Sequence, residues 1–215
     1  MHTHTLLSDG ELLPFELVRR AVSSGYKAIG ITDHVDVSNM DYAIPRVVKA
    51  AQRLKGLVPI DIVPGVEITH APPALIGDMV KEARELGACL VIVHGETLAE
   101  PVLEGTNRAA IEAEADILAH PGLISIEDIL LANEKSVALE ITSRKGHSIS
   151  NGHVAQMAIK FGAQIVINTD SHSPGDLITR GQAEKILMGA GIGKERVPLV
   201  FETSRNILEK ALRRI

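Results

Sequence analysis

The feature that most constrains the fold is a regular alternation of short apolar runs with longer amphipathic segments. Near-continuous apolar runs of about four to eight residues are typical of parallel strands covered on both faces. The intervening segments place apolar residues at helical spacing, as at Ile76, Met79 and Val80. Seven runs therefore predict strands: Met1–Thr5, which is the weakest, Ala28–Thr32, Asp61–Glu67, Cys89–His94, Asp116–His120, Val137–Thr142 and Gln164–Thr169.

This alternation predicts a parallel α/β architecture. No tandem repeat, low-complexity run or linker divides the 215 residues, so the sequence predicts a single domain over residues 1–215. Either a closed barrel or an open doubly wound sheet is compatible with the alternation. The positions of the polar residues distinguish them.

The composition disfavours several classes of function. The net charge is −5 and aromatic residues make up 2% of the chain. A basic field or a stacking platform for nucleic acid is therefore not expected, so a nucleic-acid partner is possible but not favoured. Neither a leader peptide nor a run of about 20 apolar residues is present. We expect a cytoplasmic protein with no membrane partner.

Imidazoles and carboxylates recur where the predicted strands end. In a (β/α) barrel the carboxyl ends of the strands meet at one mouth, whereas an open sheet spreads them along an edge. The placement therefore favours a barrel. These side chains are His2, His4 and Asp9 around the first strand, Asp33 and His34 after the second, Glu67, His94 and His120 at the next three, and Asp170 and His172 after the last.

The mixture of side chains indicates a metal cluster. Imidazole suits zinc, iron and manganese-class ions, and carboxylates can bridge two of them. His2 and His4 lie two residues apart on a strand and so point to the same side, as do Asp170 and His172. Asp33 is interpreted as a partner that orients a ligand histidine. The expected cofactors are two to three divalent ions of zinc, manganese or iron.

These residues resemble the polymerase and histidinol phosphatase (PHP) family. The resemblance runs from residue 2 to residue 172 in matching order and spacing, with no departure at the nine ligand positions. The motifs that carry it are His2-Thr3-His4-Thr5 with Ser8-Asp9-Gly10, Thr32-Asp33-His34, Gly65-Val66-Glu67, His94, His120-Pro121 and Asp170-Ser171-His172.

The resemblance implies a distorted seven-stranded (β/α)7 TIM-like barrel with a trinuclear site. A hydroxide bridging two ions would attack phosphorus in line. Glu67 and Asp170 are then the catalytic carboxylates, with Glu67 bridging. By analogy His2, His4, Glu67 and Asp170 would hold one ion, Glu67, His94 and His120 a second, and Asp9, His34 and His172 a third.

Arg144 is the candidate for phosphate recognition. It follows the sixth predicted strand, where a guanidinium could fork onto a phosphate, although a surface arginine on a loop fits the sequence equally well. Glu140 is a candidate partner for a basic residue. Five further side chains are less constrained: His70 is expected to be an exposed loop residue, His147 and His153 to cap or face solvent, and Arg108 and Arg180 have no fixed place.

The favoured function is hydrolysis of a small phosphomonoester, of the histidinol phosphatase type or on a related metabolite or nucleotide. A nuclease or nucleotide-end phosphodiesterase would use the same cluster. An amidohydrolase-type enzyme also begins with His-x-His, but it typically uses a lysine on strand four, where this chain has His94. A non-catalytic metal-stabilised module is the last alternative. The expected partner is a small phosphorylated substrate, and nothing in the sequence favours an oligomeric state.

Overall fold

The computed structural model describes residues 1–215 and is built on a parallel β-sheet. The order across the sheet is β1-β3-β4-β5-β6-β7, and β2 pairs with β3 beyond the end of β1. All of these pairings are parallel. The strands are β1 (Ala28–Ile31), β2 (His34–Val35), β3 (Asp61–Ile68), β4 (Leu90–His94), β5 (Ile117–Ala119), β6 (Ala138–Thr142) and β7 (Ile165–Asn168).

Eight α-helices connect and cover the strands, as the alternating pattern predicts. Their ends follow local chemistry. Proline at the first position opens α3, and the Ser125 hydroxyl caps α5 by accepting from the Asp128 amide. No helix is both long enough and apolar enough to cross a membrane. The helices are α1 (Pro14–Ser23), α2 (Met40–Leu54), α3 (Pro73–Glu85), α4 (Thr106–Glu112), α5 (Ile126–Lys135), α6 (Asn151–Phe161), α7 (Arg180–Gly189) and α8 (Val197–Leu212).

The sheet curls into a half-barrel whose outer strands are β1 and β7. The first predicted strand, Met1–Thr5, is wrong as a strand: this segment forms a single bridge, between Thr3 and Ser171. It nevertheless lies between the two outer strands. The Thr32 amide donates to the Thr3 carbonyl at 2.8 Å, and the His4 amide donates to the Ser171 carbonyl at 2.8 Å. The gap is therefore bridged by isolated hydrogen bonds instead of a continuous ladder.

Glycine at position 30 permits this arrangement. A β-carbon there would overlap the Met1 carbonyl oxygen, so a larger residue would push the N-terminal segment off β1. The Thr3 hydroxyl donates to the Gly30 carbonyl at 2.7 Å, which fixes the contact from the other side. These contacts set the position of His2 and His4 relative to the sheet.

Successive side chains along each strand face opposite sides of the sheet, which separates the helix-covered core from the inside of the curl. In β4, Leu90 and Ile92 belong to an apolar cluster inside the curl, while Val91 and Val93 pack against the helices in the main core. Because successive strand residues face opposite sides, His94 continues the inner row. Glu67 of β3 and Glu140 of β6 are likewise fully buried on their strands. The curl thus holds apolar residues deep inside and polar residues at its carboxyl end.

The amino ends of the strands are held by a separate charged network. Asp116, which is buried before β5, accepts from the Val91 amide at 3.0 Å. Its carboxylate also pairs with Arg84 at 3.2 Å, Arg214 at 3.1 Å and Lys210 at 3.4 Å. These ion pairs anchor the C-terminal helix at the amino ends of the strands, opposite the carboxyl ends where the polar cluster lies.

Candidate metal centre

The predicted ligands converge at the carboxyl end of the curled sheet. The N-terminal segment supplies His2 and His4, the strands supply His34, Glu67 and His94, and the connecting loops supply the remaining side chains. Six of the nine are almost fully buried, His34 and His172 are partly buried, and Asp9 is exposed. The buried set is His2, His4, Glu67, His94, His120 and Asp170.

The exposure of these side chains increases from the inner wall to the mouth. The six residues of the buried set form the floor, and their side chains are at most 3% exposed. His172, His34 and Asp9 form the outer edge with side chains 13%, 23% and 57% exposed. The centre is therefore a deep site with one open side, through which an ion or a substrate can enter.

Two carboxylates lie among the imidazoles of the N-terminal segment. Glu67 Oε2 is 3.2 Å from His2 Nε2 and 3.5 Å from His4 Nε2. Asp170 Oδ1 is 3.1 Å from His4 Nε2 and 3.6 Å from His2 Nε2. These four side chains surround one point, as the resemblance implies for the first ion.

Glu67 also reaches a second group of imidazoles. Its other oxygen, Oε1, is 3.3 Å from His94 Nδ1 and 3.7 Å from His120 Nε2. Oε2 also lies 2.8 Å from His34 Nδ1. The two carboxylate oxygens of Glu67 thus face different sets of histidines, which is the arrangement that a bridging carboxylate requires.

The third group lies at the open side. Asp9 is 3.3 Å from His172 Nε2 and 3.6 Å from His34 Nε2. The two imidazole nitrogens are 3.4 Å apart. Asp9, His34 and His172 therefore share one point, together with His4 behind them.

The distances and the unpaired atoms test whether this chain fits metal ions. Two ligand atoms on one tetrahedral zinc ion, each about 2.1 Å from it, lie about 3.4 Å apart. Most of the separations above are close to that value. Buried polar atoms normally have hydrogen-bond partners, but several here have none. They are His2 Nε2, both ring nitrogens of His4 and of His94, both carboxylate oxygens of Glu67, His120 Nδ1 and Asp170 Oδ1. The donor set therefore fits bound divalent ions.

The charges of the centre favour cations. Burial alone would raise the pKa of Glu67, but the neighbouring His2 and His34 imidazoles hold that pKa well below its usual range. Burial lowers the pKa of His4 to about 3, so its ring is neutral and able to coordinate. Burial opposes protonation of His2 as well, yet the Glu67, Glu140 and Asp170 carboxylates raise its pKa well above the usual value. Glu67 is thus held ionised and His4 neutral, which are the forms in which each side chain coordinates a cation.

Two of the residues in the centre have strained backbones. His120 has φ of 27° and Asp170 has φ of 48°, a left-handed region that non-glycine residues rarely adopt. His120 directly follows β5, and the turn in its backbone departs from the strand geometry that precedes it. Such strain persists only where the surroundings impose it, and it is concentrated at functional sites.

Comparison with known proteins agrees with this geometry. The PHP domain model matches residues 1–159. The chain belongs to the PHP family. An uncharacterized protein of Methanocaldococcus jannaschii is 50% identical over 212 residues, with 97% of each chain covered. A protein of Thermoanaerobacter sp. named a probable phosphatase is 26% identical, with 91% of this chain and 87% of that protein covered.

Solved structures share the fold of this PHP protein. A chain of archaeal ribonuclease P, solved by cryo-EM with mature tRNA, aligns with a TM-score of 0.73 at 18% identity and covers 98% of this chain and 90% of that one. A candidate histidinol phosphatase of Listeria monocytogenes aligns with a TM-score of 0.60 at 13% identity and covers 85% and 97%. These likenesses show the fold, while the family and the phosphatase relatives support a phosphoesterase.

A second layer of polar groups orients the PHP histidines. His2 presents Nε2 to the centre, and its Nδ1 pairs with Glu140 Oε1 at 2.8 Å. At His94, Nδ1 faces Glu67, and Nε2 lies 3.2 Å from Glu100 Oε2, close enough for an ion pair but without hydrogen-bond geometry. A carboxylate on the outer nitrogen fixes the ring and raises its basicity as a ligand. Glu140 therefore has the role of a partner to a basic residue that the sequence suggested.

Asp33 does not have the role predicted for it. Its carboxylate accepts from the Thr5 amide at 2.7 Å, the Thr5 hydroxyl at 2.8 Å and the Ser8 hydroxyl at 2.8 Å. No histidine donates to it by hydrogen bond. Asp33 instead holds the loop that carries Asp9, because three short bonds to that loop saturate its oxygens.

His147 is placed at the site, contrary to the prediction of a capping or solvent-facing role. The ring is 7% exposed and stacks on His120 with centroids 4.2 Å apart. Its Nδ1 pairs with the Thr97 hydroxyl at 2.7 Å, so Nε2 is directed toward Glu100, 3.5 Å away. His153 lies apart and pairs with the Ile124 carbonyl.

Glu100 is a residue that sequence reasoning missed. It lies in the loop between β4 and α4, where neither spacing nor periodicity marks it. The structure brings its carboxylate to His94, to His147 and to His70, whose Nε2 is 3.1 Å away. The only available signal was its position in a loop that follows the carboxyl end of a strand, and that signal applies to many residues.

The three candidate arginines differ in whether they line the cavity over the centre. Arg144 lines the cavity over the centre, with its guanidinium 3.4 Å from Asp176. Arg108 pairs with Asp128 at 2.6 Å, and Arg180 pairs with Glu184 at 3.0 Å. Neither of the last two lines the cavity. Of these three arginines, only Arg144 lines the cavity over the centre.

Substitution of Glu140 tests the second layer. Glu140→Gln should weaken metal binding by about 10- to 100-fold, because the amide holds the His2 ring without a negative charge. The measurement is metal retained after dialysis against graded concentrations of a competing chelator. Glu134→Gln, on the exposed face of α5, is the matched control. Equal metal retention in all three proteins would contradict the role of Glu140.

Proposed function

We propose that this PHP protein is a metal-dependent phosphomonoesterase acting on a small phosphorylated molecule. The observation that carries the proposal is the convergence of nine imidazoles and carboxylates, many with unpaired buried atoms, beneath an open cavity that also contains an arginine. The three groups described above would hold two to three ions of zinc, manganese or iron. Glu67 is positioned to be shared between two of them.

The side chains of this protein would hold such ions at defined positions. When bound, they would lower the pKa of a water molecule and neutralise the negative charge of a phosphate. Asp170 and Glu67 fix the spacing of the groups, since each contacts histidines from more than one element. The N-terminal segment lies between β1 and β7 and takes the place of a seventh strand. On this basis we propose that residues 1–215 are a single domain with a distorted seven-stranded barrel.

Arg144 is proposed to bind the phosphoryl oxygens. Its partner Asp176 also accepts from the His172 and Ser173 amides at 2.9 and 2.8 Å, which fixes the carboxylate and so aims the guanidinium. A charged hydrogen bond to substrate contributes about 1.5–3 kcal/mol, equivalent to roughly 10- to 100-fold. We expect Arg144→Ala to lower kcat/KM by that factor.

Steady-state kinetics with saturating metal would measure the effect of Arg144→Ala. Arg144→Lys should recover part of the loss, since it keeps the charge but not the fork. Arg108→Ala is the control, because Arg108 is outside the cavity. If Arg144→Ala retained the wild-type kcat/KM, Arg144 would not be a phosphate ligand.

Other reactions fit the cavity less well. An oligonucleotide needs a basic groove or stacked aromatic rings, and the cavity contains one arginine, no lysine and no aromatic ring other than imidazole. An amidohydrolase-type centre typically has a lysine at the end of the fourth strand, whereas β4 of this chain ends at His94. Neither alternative is favoured by an observation at this site.

The test of the reaction class is a panel of substrates with metal-reconstituted protein. It contains phosphomonoesters, a phosphodiester, short oligonucleotides and N-acyl amino acids, and each is followed by its own product. We expect release of inorganic phosphate from monoesters to be fastest. Faster cleavage of diesters or oligonucleotides would favour the nuclease alternative, and cleavage of amides alone would favour the amidohydrolase alternative.

A further inference from the structure

The cavity over the centre has a wholly polar lining. Its volume is about 360 Å³, and none of its twelve lining residues is hydrophobic. Small-molecule sites are usually lined mainly by hydrophobic and aromatic side chains. The lining consists of Ser8, Asp9, His34, Asn39, Thr69, His70, His94, Glu100, Arg144, His147, Asp170 and His172.

The lining side chains differ in how much of their hydrogen-bonding capacity is taken up by partners within the protein. Ser8 bonds Asp33, Thr69 bonds His34, and Asn39 donates to the His34 carbonyl. Glu100 and His70 contact each other, and Glu100 also lies near His94 and His147. Their side chains are nevertheless 38% and 44% exposed and so retain hydrogen-bonding capacity toward the cavity. The outer wall thus offers an acceptor and an imidazole beside each other.

The backbone of His70 is strained like that of two proposed ligands. Its φ is 52°, compared with 27° at His120 and 48° at Asp170. Glycine would adopt this left-handed conformation without steric cost, so the conformation alone does not require a histidine at this position. In this conformation the His70 Nε2 lies 3.1 Å from Glu100 Oε2, and the residue lines the cavity.

The charges of the outer wall limit what a leaving group can carry. Arg144 is the cavity's one arginine, it is paired with Asp176, and no lysine lines the wall. Glu100 and Asp9 add negative charge. A second phosphate on the substrate would have no cation of its own, and a nucleobase would have no apolar face on which to stack.

We propose that His70 and Glu100 form a leaving-group subsite for a small polyhydroxylated alcohol, so that the substrate is a sugar or polyol monophosphate. This rests on the proposed phosphomonoesterase function and narrows it. Glu100 accepts hydrogen bonds from substrate hydroxyls, and the His70 ring donates or accepts a second bond. Arg144 and the metal centre take the phosphate.

The test compares two esters that differ only in their hydroxyl groups, glucitol 6-phosphate and n-hexyl phosphate. We expect kcat/KM for the polyol ester to be at least about tenfold higher, corresponding to a net gain of one to two hydrogen bonds. Adenosine monophosphate and a sugar bisphosphate should be poorer substrates than the polyol ester. Equal or reversed values would overturn the subsite while leaving the phosphomonoesterase proposal standing.

Substitution of His70 tests the residues themselves. His70→Gly removes the imidazole and accepts the left-handed backbone, so it should reduce the preference for the polyol ester about tenfold, through KM, with n-hexyl phosphate changed less than about twofold. His70→Asn, which also tolerates this backbone, should restore part of the preference. An unchanged preference in His70→Gly would overturn the assignment.

Metal content distinguishes this subsite from an additional metal site. His70, His94 and Glu100 present ligand atoms within 4.8 Å of one another, so an ion there is the competing explanation. We expect His70→Gly to retain the wild-type number of metal equivalents by elemental analysis. Loss of one equivalent would replace the hydroxyl subsite by a metal site. Absence of phosphate release from every ester would contradict the phosphomonoesterase function itself.

Discussion

Glu67→Gln is expected to lower phosphate release by at least about a thousandfold, because the substitution removes the charge shared between two metal positions. Glu67 is fully buried. One of its oxygens faces His2, His4 and His34, and the other faces His94 and His120. Glutamine has nearly the same shape but is neutral. The variant should therefore fold while holding fewer ions.

The measurement for this variant is kcat/KM at saturating metal, together with the metal content by elemental analysis. Circular dichroism and thermal unfolding of the metal-free proteins show whether the fold is kept. Glu134→Gln makes the same chemical change on an exposed helix and should behave as wild type. A Glu67→Gln protein with a wild-type rate and wild-type metal content would rule out the bridging role.

Metal removal is expected to lower the melting temperature by at least about 5 °C. Ions that bind the folded protein alone stabilise it by about 2.7 kcal/mol at a concentration 100 times the dissociation constant. For a chain of this length each kcal/mol corresponds to about 2–4 °C. Without ions, buried atoms of Glu67, His94 and His4 have no partner, and such groups are costly.

Differential scanning calorimetry before and after chelation would measure this shift. Addition of manganese or zinc to the chelated protein should restore the original transition. The same chelation of Glu67→Gln should shift its transition much less, because it has fewer ions to lose. An identical melting temperature with and without metal would contradict a site that holds ions tightly.

Much of the fold could be predicted from local pattern. The apolar runs at 89–94 and 137–142 became β4 and β6 almost residue for residue, since buried parallel strands are continuous and apolar. The segment 1–5 could not be predicted reliably. It has too few backbone partners to form a strand, and its position depends on Gly30 and on Ser171, distant in the chain.

The same division holds for the centre. His2, Glu67 and Asp170 were predictable because strand ends in a parallel fold meet at one edge. Glu100 and His147 were not, because their approach depends on how two loops pack together through the Thr97–His147 hydrogen bond. Asp33 was predicted to orient a ligand histidine, but its carboxylate binds Thr5 and Ser8 instead. Sequence spacing does not show which of several neighbours a carboxylate will contact.

The most direct test of a metal-dependent phosphomonoesterase is a titration of activity with metal. The chelated protein is given increasing equivalents of manganese, zinc or iron, and inorganic phosphate released from a polyol monophosphate and from a mixed panel of monoesters is measured at each point. We expect negligible release without metal and a rise that saturates at two to three equivalents per chain. Release that is equally fast in the metal-free protein, or that no metal produces, would contradict it.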